Sequence, residues 1–511
     1  ITYYKEKMMH VQKNVKDPNV LLMYSPQQFN PKFGAVKPEG SLGILYLAGA
    51  LRDHDYDVTI LDCCVGNDQY SVEETFYRQT NLPNGMIRIG LSSEEIVREV
   101  RDYDIIGISS IFTAQTTMVR ETVQAIATAY PKKIILLGGV NARSQIPLFL
   151  DAGAKIICTS EAERTIVEVG EVLRSGNQDF SHILGIAYRQ DDQVKITPPA
   201  FVEQNLDELP YPAWNLAPLN RYWKIARPHG GGFSTENPVA YASAMTSRGC
   251  PFNCTFCHIS REHKGSLSGN IRQLRLKSLE RVMEEMRTLQ ALGVCHVFLE
   301  DDSLLANKKR ALDIFRKMIK LKLGLSDVNG INLAHLTTKR DGKLGVDDEL
   351  LETMAQAGFK KLIYPVESGS QRIIDQYATG KLNLEKHDIP ALIRKAKSLG
   401  MEVGGNYTFG YPDETLEEIM QTFIIAKEHR DAGIDYANFV IITPFPGTEF
   451  YDLVVRENLW LPDTKLEELD WTRPSIKTRV PPWVLEFMIT NGWEYINDPK
   501  RIMQLRSIGS Q

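Results

Sequence analysis

The stretch Thr246–Ser260 reads TSRGCPFNCTFCHIS and spaces three cysteines, Cys250, Cys254 and Cys257, as C-x₃-C-x₂-C. Three thiolates at that spacing can hold a cuboidal iron–sulfur cluster and leave its fourth iron open to a non-protein ligand. A zinc ion is the alternative: it wants four ligands, and His258 stands next to Cys257. A ligand directly after the third cysteine is badly placed to complete a tetrahedron, and no second C-x₂-C follows, so the cluster is the favoured reading. The other four cysteines are scattered. Cys63 and Cys64 end one apolar run, and Cys158 and Cys295 sit in others, where each is expected to be a small buried hydrophobe. Seven cysteines in 511 residues are too few for a disulfide scaffold and imply a reducing, cytoplasmic setting.

The elements that must position this loop fall into two series. From Asn19, the runs VLLMYS, DVTILD, DIIGISS, KIILLGG and AKIICTS read as buried parallel strands, and the segments between them have helical periodicity. That pattern predicts a doubly wound, Rossmann-like α/β domain over residues 19–175, after a polar extension at 1–18. Residues 176–237 read as an ordered connector, a small β excursion followed by a stretch dense in Pro, Gly and aromatics. A second series starts near Pro238 with VAYASAMTS, VCHVFLED, GINLAHLTT, KKLIYPVES, EVGGNYTFG and YANFVIITP as strands. Six βα units over 238–450 predict a partial (β/α)₆ TIM-type barrel with its site at the C-terminal strand ends, where the cysteine loop lies. Residues 451–511 hold four of the six tryptophans and read as a helical cap.

Composition narrows the partners. The chain is 43% hydrophobic and 24% charged with a net charge of −5, so it lacks the basic excess of a nucleic-acid binder. No apolar run approaches the roughly 20 residues that a bilayer needs, and no signal peptide is visible. The chain opens on Ile1 without an initiator methionine, which leaves room for an earlier segment.

The cysteine spacing after a first barrel strand, with Phe256 just before the third cysteine, resembles the radical S-adenosylmethionine superfamily. The resemblance implies a [4Fe–4S] cluster on Cys250, Cys254 and Cys257, with S-adenosylmethionine chelating the open iron. It also implies further contacts to S-adenosylmethionine. Phe256 is one; FLEDDS offers Glu300, Asp301 and Asp302 to the methionine ammonium, and PVESGS offers Glu367 and Ser368 to ribose or carboxylate. ITPFPGTEFY offers Pro444 and Phe445 to the adenine.

The first domain resembles the cobalamin-binding module of the cobalamin-dependent members. That likeness implies cobalamin contacts at Gly40, Ser41 and Gly43, at Ser109, Ser110 and Thr113, and at Gly138 and Gly139. The family's cobalt-binding D-x-H-x-x-G loop has no counterpart in YSPQQFNPKFGAVKPEG, and His54 reads as a surface residue, so no histidine from this domain is expected on cobalt.

The resemblance implies a methyltransferase that moves a methyl group from S-adenosylmethionine, via methylcobalamin, to an unactivated carbon of a natural-product or cofactor-type small molecule. An electron donor such as a flavodoxin or ferredoxin is implied as partner, with neither nucleic acid nor membrane. The same cofactors serve the alternatives, a cyclisation, rearrangement or oxidation; a tRNA-modifying methylthiotransferase is another. RPHGGG at Arg227–Gly232 could cover the pocket or merely turn the chain, and the basic NIRQLRLKS could face an anionic substrate or solvent.

Overall fold

Strands that are apolar at nearly every position must be covered on both faces, and the first sheet is built from such strands. The computed structural model describes residues 17–31, 42–228, 238–340 and 343–497. β1 (Val20–Tyr24), β2 (Val58–Asp62), β3 (Ile105–Ser109), β4 (Ile134–Gly138) and β5 (Ile156–Cys158) run parallel in the order β2-β1-β3-β4-β5. All five β1 side chains are buried. The order reverses between β1 and β3, which opens a crevice at the carboxyl ends of the strands. α1 (Leu42–Arg52) and α2 (Glu163–Arg174) pack against each other beside it. The expected β excursion is a hairpin, β6 (Ile186–Gln190) and β7 (Gln193–Ile196), added antiparallel to β5, so this sheet reaches past Ser175. A small antiparallel sheet of Gln27–Phe29, Ile87–Ile89 and Thr80–Asn81, too short to carry a period, was not foreseen.

The connector ends in α3 (Leu219–Ile225). Then β8 (Tyr241–Ala244), β9 (His296–Leu299), β10 (Gly324–Asp327), β11 (Phe359–Glu367), β12 (Glu402–Phe409) and β13 (Tyr436–Ile441) form an all-parallel sheet in chain order. Helices alternate with them, among them α4 (Leu279–Ala291), α5 (Lys308–Met318), α6 (Asp348–Ala357), α7 (Ile389–Ser398) and α8 (Leu416–Asp431). One strand lies elsewhere than expected. GINLAHLTT is a loop with a short 3₁₀ turn at Leu333–Leu336 that runs into the hairpin strand Thr337–Arg340, and the third barrel strand is the preceding GLSD. That strand is masked in sequence because the apolar period of α5 continues into Leu321 and Leu323.

A barrel of six strands does not close, and its two edges expose unpaired backbone. The connector covers the first edge: the indoles of Trp214 and Trp223 donate to the carbonyls of Ser243 (3.1 Å) and Tyr241 (2.7 Å) on β8. The cap covers the other. α9 (Pro482–Ile496) packs on β13 and α8, and the Asn497 carboxamide after it accepts from Ala437 N–H (2.7 Å) and donates to Ala437 C=O (2.9 Å). Ile441 N–H donates to Trp471 C=O (2.7 Å). The cap's tryptophans divide. Trp493 packs on the core and Trp460 on Tyr451, whereas Trp471 and Trp483 are half or more exposed. Of the scattered cysteines, Cys63, Cys64 and Cys158 are buried; Cys295 is exposed because it precedes β9 instead of lying within it.

Asn497 is buried and supplies both partners of Ala437. Asn497→Ala should therefore lower unfolding free energy by about 1–3 kcal/mol, the cost of stranding buried backbone groups. Chemical denaturation reads this, and a loss below the error of the measurement would contradict the edge-sealing role.

Candidate active site

The cysteine loop leaves β8 through a turn that only glycine fits. Gly249 has φ +87°, and a Cβ there would lie 2.3 Å from Gln273 C=O. Cys250 N–H donates to Arg272 C=O (3.0 Å), Cys257 N–H to Cys254 C=O (3.0 Å), and Thr255 N–H to Tyr377 C=O (2.8 Å), so the loop is tied to its own return and to the end of the helix Gln371–Tyr377. Cys254 is buried and Cys250 and Cys257 half-buried; all three are free thiols. Burial pushes Cys254 up to about 11 and Cys257 up to about 12, so it is ligation that would take their protons. Among the described residues no three His, Cys, Asp or Glu side chains converge on a single metal ion. His258 turns away into a cavity between the domains, where burial lowers it to about 4 and leaves it neutral. The thiols therefore fit three corners of a cluster better than one zinc ion.

The acidic residues at the barrel's strand ends have separate tasks. Glu300 faces the barrel lumen beside Ser243, and burial lifts it to about 7. The Asp302 carboxylate opens on the inter-domain cavity and accepts from Gly249 N–H (3.0 Å) at the cysteine turn. Asp301 is buried and fully engaged, accepting from Thr246 N–H (3.0 and 3.1 Å), Thr246 Oγ1 (2.7 Å) and Ser247 Oγ (2.5 Å). Glu367, at φ +69°, accepts from Lys381 Nζ (2.6 Å) and Thr408 Oγ1 (3.1 Å). Ser368 is wholly buried against Ser370 and Thr422. Phe256 packs half-buried on the core, Pro444 is buried, and Phe445 meets Trp471 edge-on at 5.6 Å.

The first domain contributes a cavity of about 300 Å³ that runs from the inter-domain face down to Leu22, Leu136 and Ile166 above the sheet. Gly43, Ser109, Gly138 and Gly139 line it. A Cβ on Gly138 would meet only the Cys158 Cβ, at 3.9 Å, so its absence widens the cavity; one on Gly139 (φ +106°) would strike Ser110 C=O at 2.3 Å. This cradle of small residues with an apolar floor fits the tail of a large flat cofactor. Ser110 instead turns inward to accept from Asn141 (2.8 Å), and Thr113 is buried. Gly40, Ser41 and the loop from His229 to Gly232 lie outside the described residues. His54 is exposed on the end of α1, bonded to Ala50 C=O.

Buried ion pairs join the domains around this cavity. Arg248, two residues before Cys250, reaches Glu163 (2.6 Å) and Glu161 (3.4 Å) and lies over the Tyr46 ring at 4.5 Å. Arg275 grips Glu161 through two bonds (2.6 and 2.8 Å), and Arg143 pairs with Glu262. Lys277 is fully buried between Tyr46 and Glu285. Arg275 and Lys277 of the basic NIRQLRLKS are thus used inside the protein, whereas Gln273 is exposed to solvent. The sequence did contain the signal for Arg248, next to the first cysteine, and for Glu161 and Glu163 in CTSEAERT. Lys381, beside Cys254 and Glu367, lies in an unremarkable turn that no motif marks.

Comparison with known proteins gives the lineage. Residues 245–424 match the radical SAM superfamily and residues 37–170 the B12 binding domain, together more than half of the chain. The chain belongs to the cobalamin-binding branch of the radical S-adenosylmethionine enzymes. Its cofactors are a [4Fe–4S] cluster, S-adenosylmethionine and cobalamin. It is 28% identical over 451 residues to an uncharacterized methyltransferase of Pyrococcus horikoshii, covering 88% of this chain and 85% of that one. It is 27% identical over 472 residues to the cytidylyl-2-hydroxyethylphosphonate methyltransferase of Streptomyces wedmorensis, covering 85% and 81%. The fold matches the radical S-adenosylmethionine methyltransferase TsrM of Kitasatospora setae with a TM-score of 0.67 at 15% identity, over 94% of this chain and 89% of that one. No helix among the described residues is long and apolar enough to cross a membrane.

Burial lifts Asp327, at the end of β10, to about 7, as it does Glu300. Each keeps its proton in the folded chain where the unfolded chain has lost it, so their contribution to stability is full at about pH 4 and lost as pH rises through 7. Asp327→Asn should shrink the stability difference of the cofactor-free protein between pH 5 and pH 8, measured by denaturant titration. An unchanged difference would count against a protonated Asp327.

Proposed function

We propose that the chain transfers a methyl group from S-adenosylmethionine, by way of cobalamin, to an unactivated carbon of a small molecule held in the barrel lumen. One observation carries the reading: Arg248, Gly249, His258 and Ile259, which flank the three cysteines, line the same inter-domain cavity as Gly43, Ser109, Gly138 and Gly139, and Arg248 bridges to Glu161 and Glu163. Bound there, the reduced cluster supplies the electron that splits S-adenosylmethionine, and cobalamin supplies the methyl group that a carbon without a nucleophilic lone pair cannot take by polar attack.

The chain's own residues would then divide the work. Cys250, Cys254 and Cys257 hold the cluster, and the Lys381 ammonium offsets the negative charge of the three thiolates. Glu300 accepts the methionine ammonium from the lumen side. Asp302 keeps the Gly249 turn in place and so orients Cys250. Pro444 and Phe445 offer the adenine an apolar surface, and Gly43, Ser109, Gly138 and Gly139 admit the cobalamin. Asp301, Ser368, Ser110 and Thr113 act as positioning residues, because their polar atoms are engaged or buried within the protein. A one-electron donor such as a flavodoxin or ferredoxin serves the cluster from outside.

Anaerobic reconstitution tests this without a known substrate. Wild-type protein should take up iron, sulfide and cobalamin, and label from methyl-labelled S-adenosylmethionine should be recovered with the extracted cobalamin. Cys254→Ala should lose the iron and keep the cobalamin absorption. Zinc uptake without iron and sulfide would contradict the cluster, and unlabelled cobalamin would contradict methyl transfer, as expected of a cyclase.

A further inference from the structure

The strands of the barrel alternate between the helix layer and the lumen. Tyr407 and Phe409 of β12 and Ala437, Phe439 and Ile441 of β13 belong to the core under the helices, with Phe439 stacked on Phe423 of α8 at 4.5 Å. Asn406 and Asn438 therefore face the lumen, and they are register partners on adjacent strands. Asn406 is half-buried and Asn438 exposed, and among the described residues neither carboxamide has a hydrogen-bond partner.

Among the described residues, the other polar side chains at these lumen positions are engaged. Glu300 meets Ser243, Ser326 meets His296, Lys361 faces Glu402 and the Tyr436 ring, and Glu367 holds Lys381 and Thr408. Thr408 lies two residues beyond Asn406 on β12, so the free pair sits about 7 Å along the strand from the layer that touches Lys381 and the cysteines. Two neighbouring carboxamides present donors and acceptors side by side and carry no charge. Among the described residues each Lys at these positions already has an acidic partner, so none of them is left to neutralise a phosphate or carboxylate.

We propose that Asn406 and Asn438 are the specificity-determining pair for the substrate, and that they read a neutral planar edge with adjacent donor and acceptor, as in a carboxamide, a lactam or a nucleobase. The inference rests on the proposed function insofar as it takes the lumen to be the substrate chamber. A site built to hydrogen-bond such an edge discriminates strongly against analogues that lack it, because its own groups would otherwise be left unpaired.

The test is calorimetric titration of the anaerobically reconstituted holoprotein with cytidine, nicotinamide and benzoate. Cytidine or nicotinamide should bind and benzoate should bind at least tenfold more weakly; a response to cytidine alone assigns a nucleobase and to nicotinamide alone a carboxamide. Asn438→Ala should weaken that binding about tenfold, and the Asn406→Ala, Asn438→Ala double variant further. Because Asn438 is exposed, its single variant carries the test if the double variant fails to fold. Equal binding of benzoate, binding unchanged by Asn438→Ala, or a fully loaded protein that binds neither neutral probe overturns the inference. A wild-type protein that loads neither cluster nor cobalamin instead overturns the functional reading beneath it.

Discussion

The buried contact of Arg248 with Glu161 and Glu163 is the interaction on which the rest of the molecule depends. Arg248 belongs to the barrel, and the turn after it carries Cys250. The two glutamates belong to the first domain, on the loop after β5 and the first turn of α2. One guanidinium thus ties the cysteine loop to the rim of the glycine-lined cavity. Its burial makes the contact costly to break, since removing Arg248 strands the Glu163 carboxylate, at a cost of about 3–5 kcal/mol. Arg275 on Glu161 and Arg143 on Glu262 extend the contact, so that no single side chain bears the whole interface.

A chemistry that needs two cofactors at one substrate explains why the domains are joined by buried ion pairs. An open barrel leaves room for such an assembly at the price of two unpaired edges. The fold closes both from outside the barrel proper, with two connector tryptophans on β8 and a carboxamide beyond α9 on β13. The connector and the cap are therefore parts of the barrel's structure, and their aromatic and Asn-bearing composition follows from the groups they must satisfy.

How much could be read in advance depended on range. The cysteine loop stood out because its pattern is local, with three thiols in one short stretch. The parallel strands were legible because burial on both faces leaves runs such as VLLMY and KIILLGG. β10 was missed because four residues hold too little pattern to compete with the helix running into them. The lumen pair Asn406 and Asn438 could not be seen, since an asparagine in a strand acquires meaning only from its neighbour's register. The same holds for Lys381 and for the partners of Arg248, which are joined to the site through space and not along the chain. Asp301 shows the opposite limit: its position suggested a ligand contact, and only the structure reveals its four bonds to Thr246 and Ser247.

The central claim is that the ion network sets the spacing of the two cofactors. Pulsed EPR on the reduced, doubly loaded protein measures the separation of the cluster from paramagnetic cobalt directly. The account predicts one narrow distance in the wild type, and a broadened or lengthened one in Arg248→Met at equal iron and cobalamin content. The same narrow distance in both proteins would contradict it.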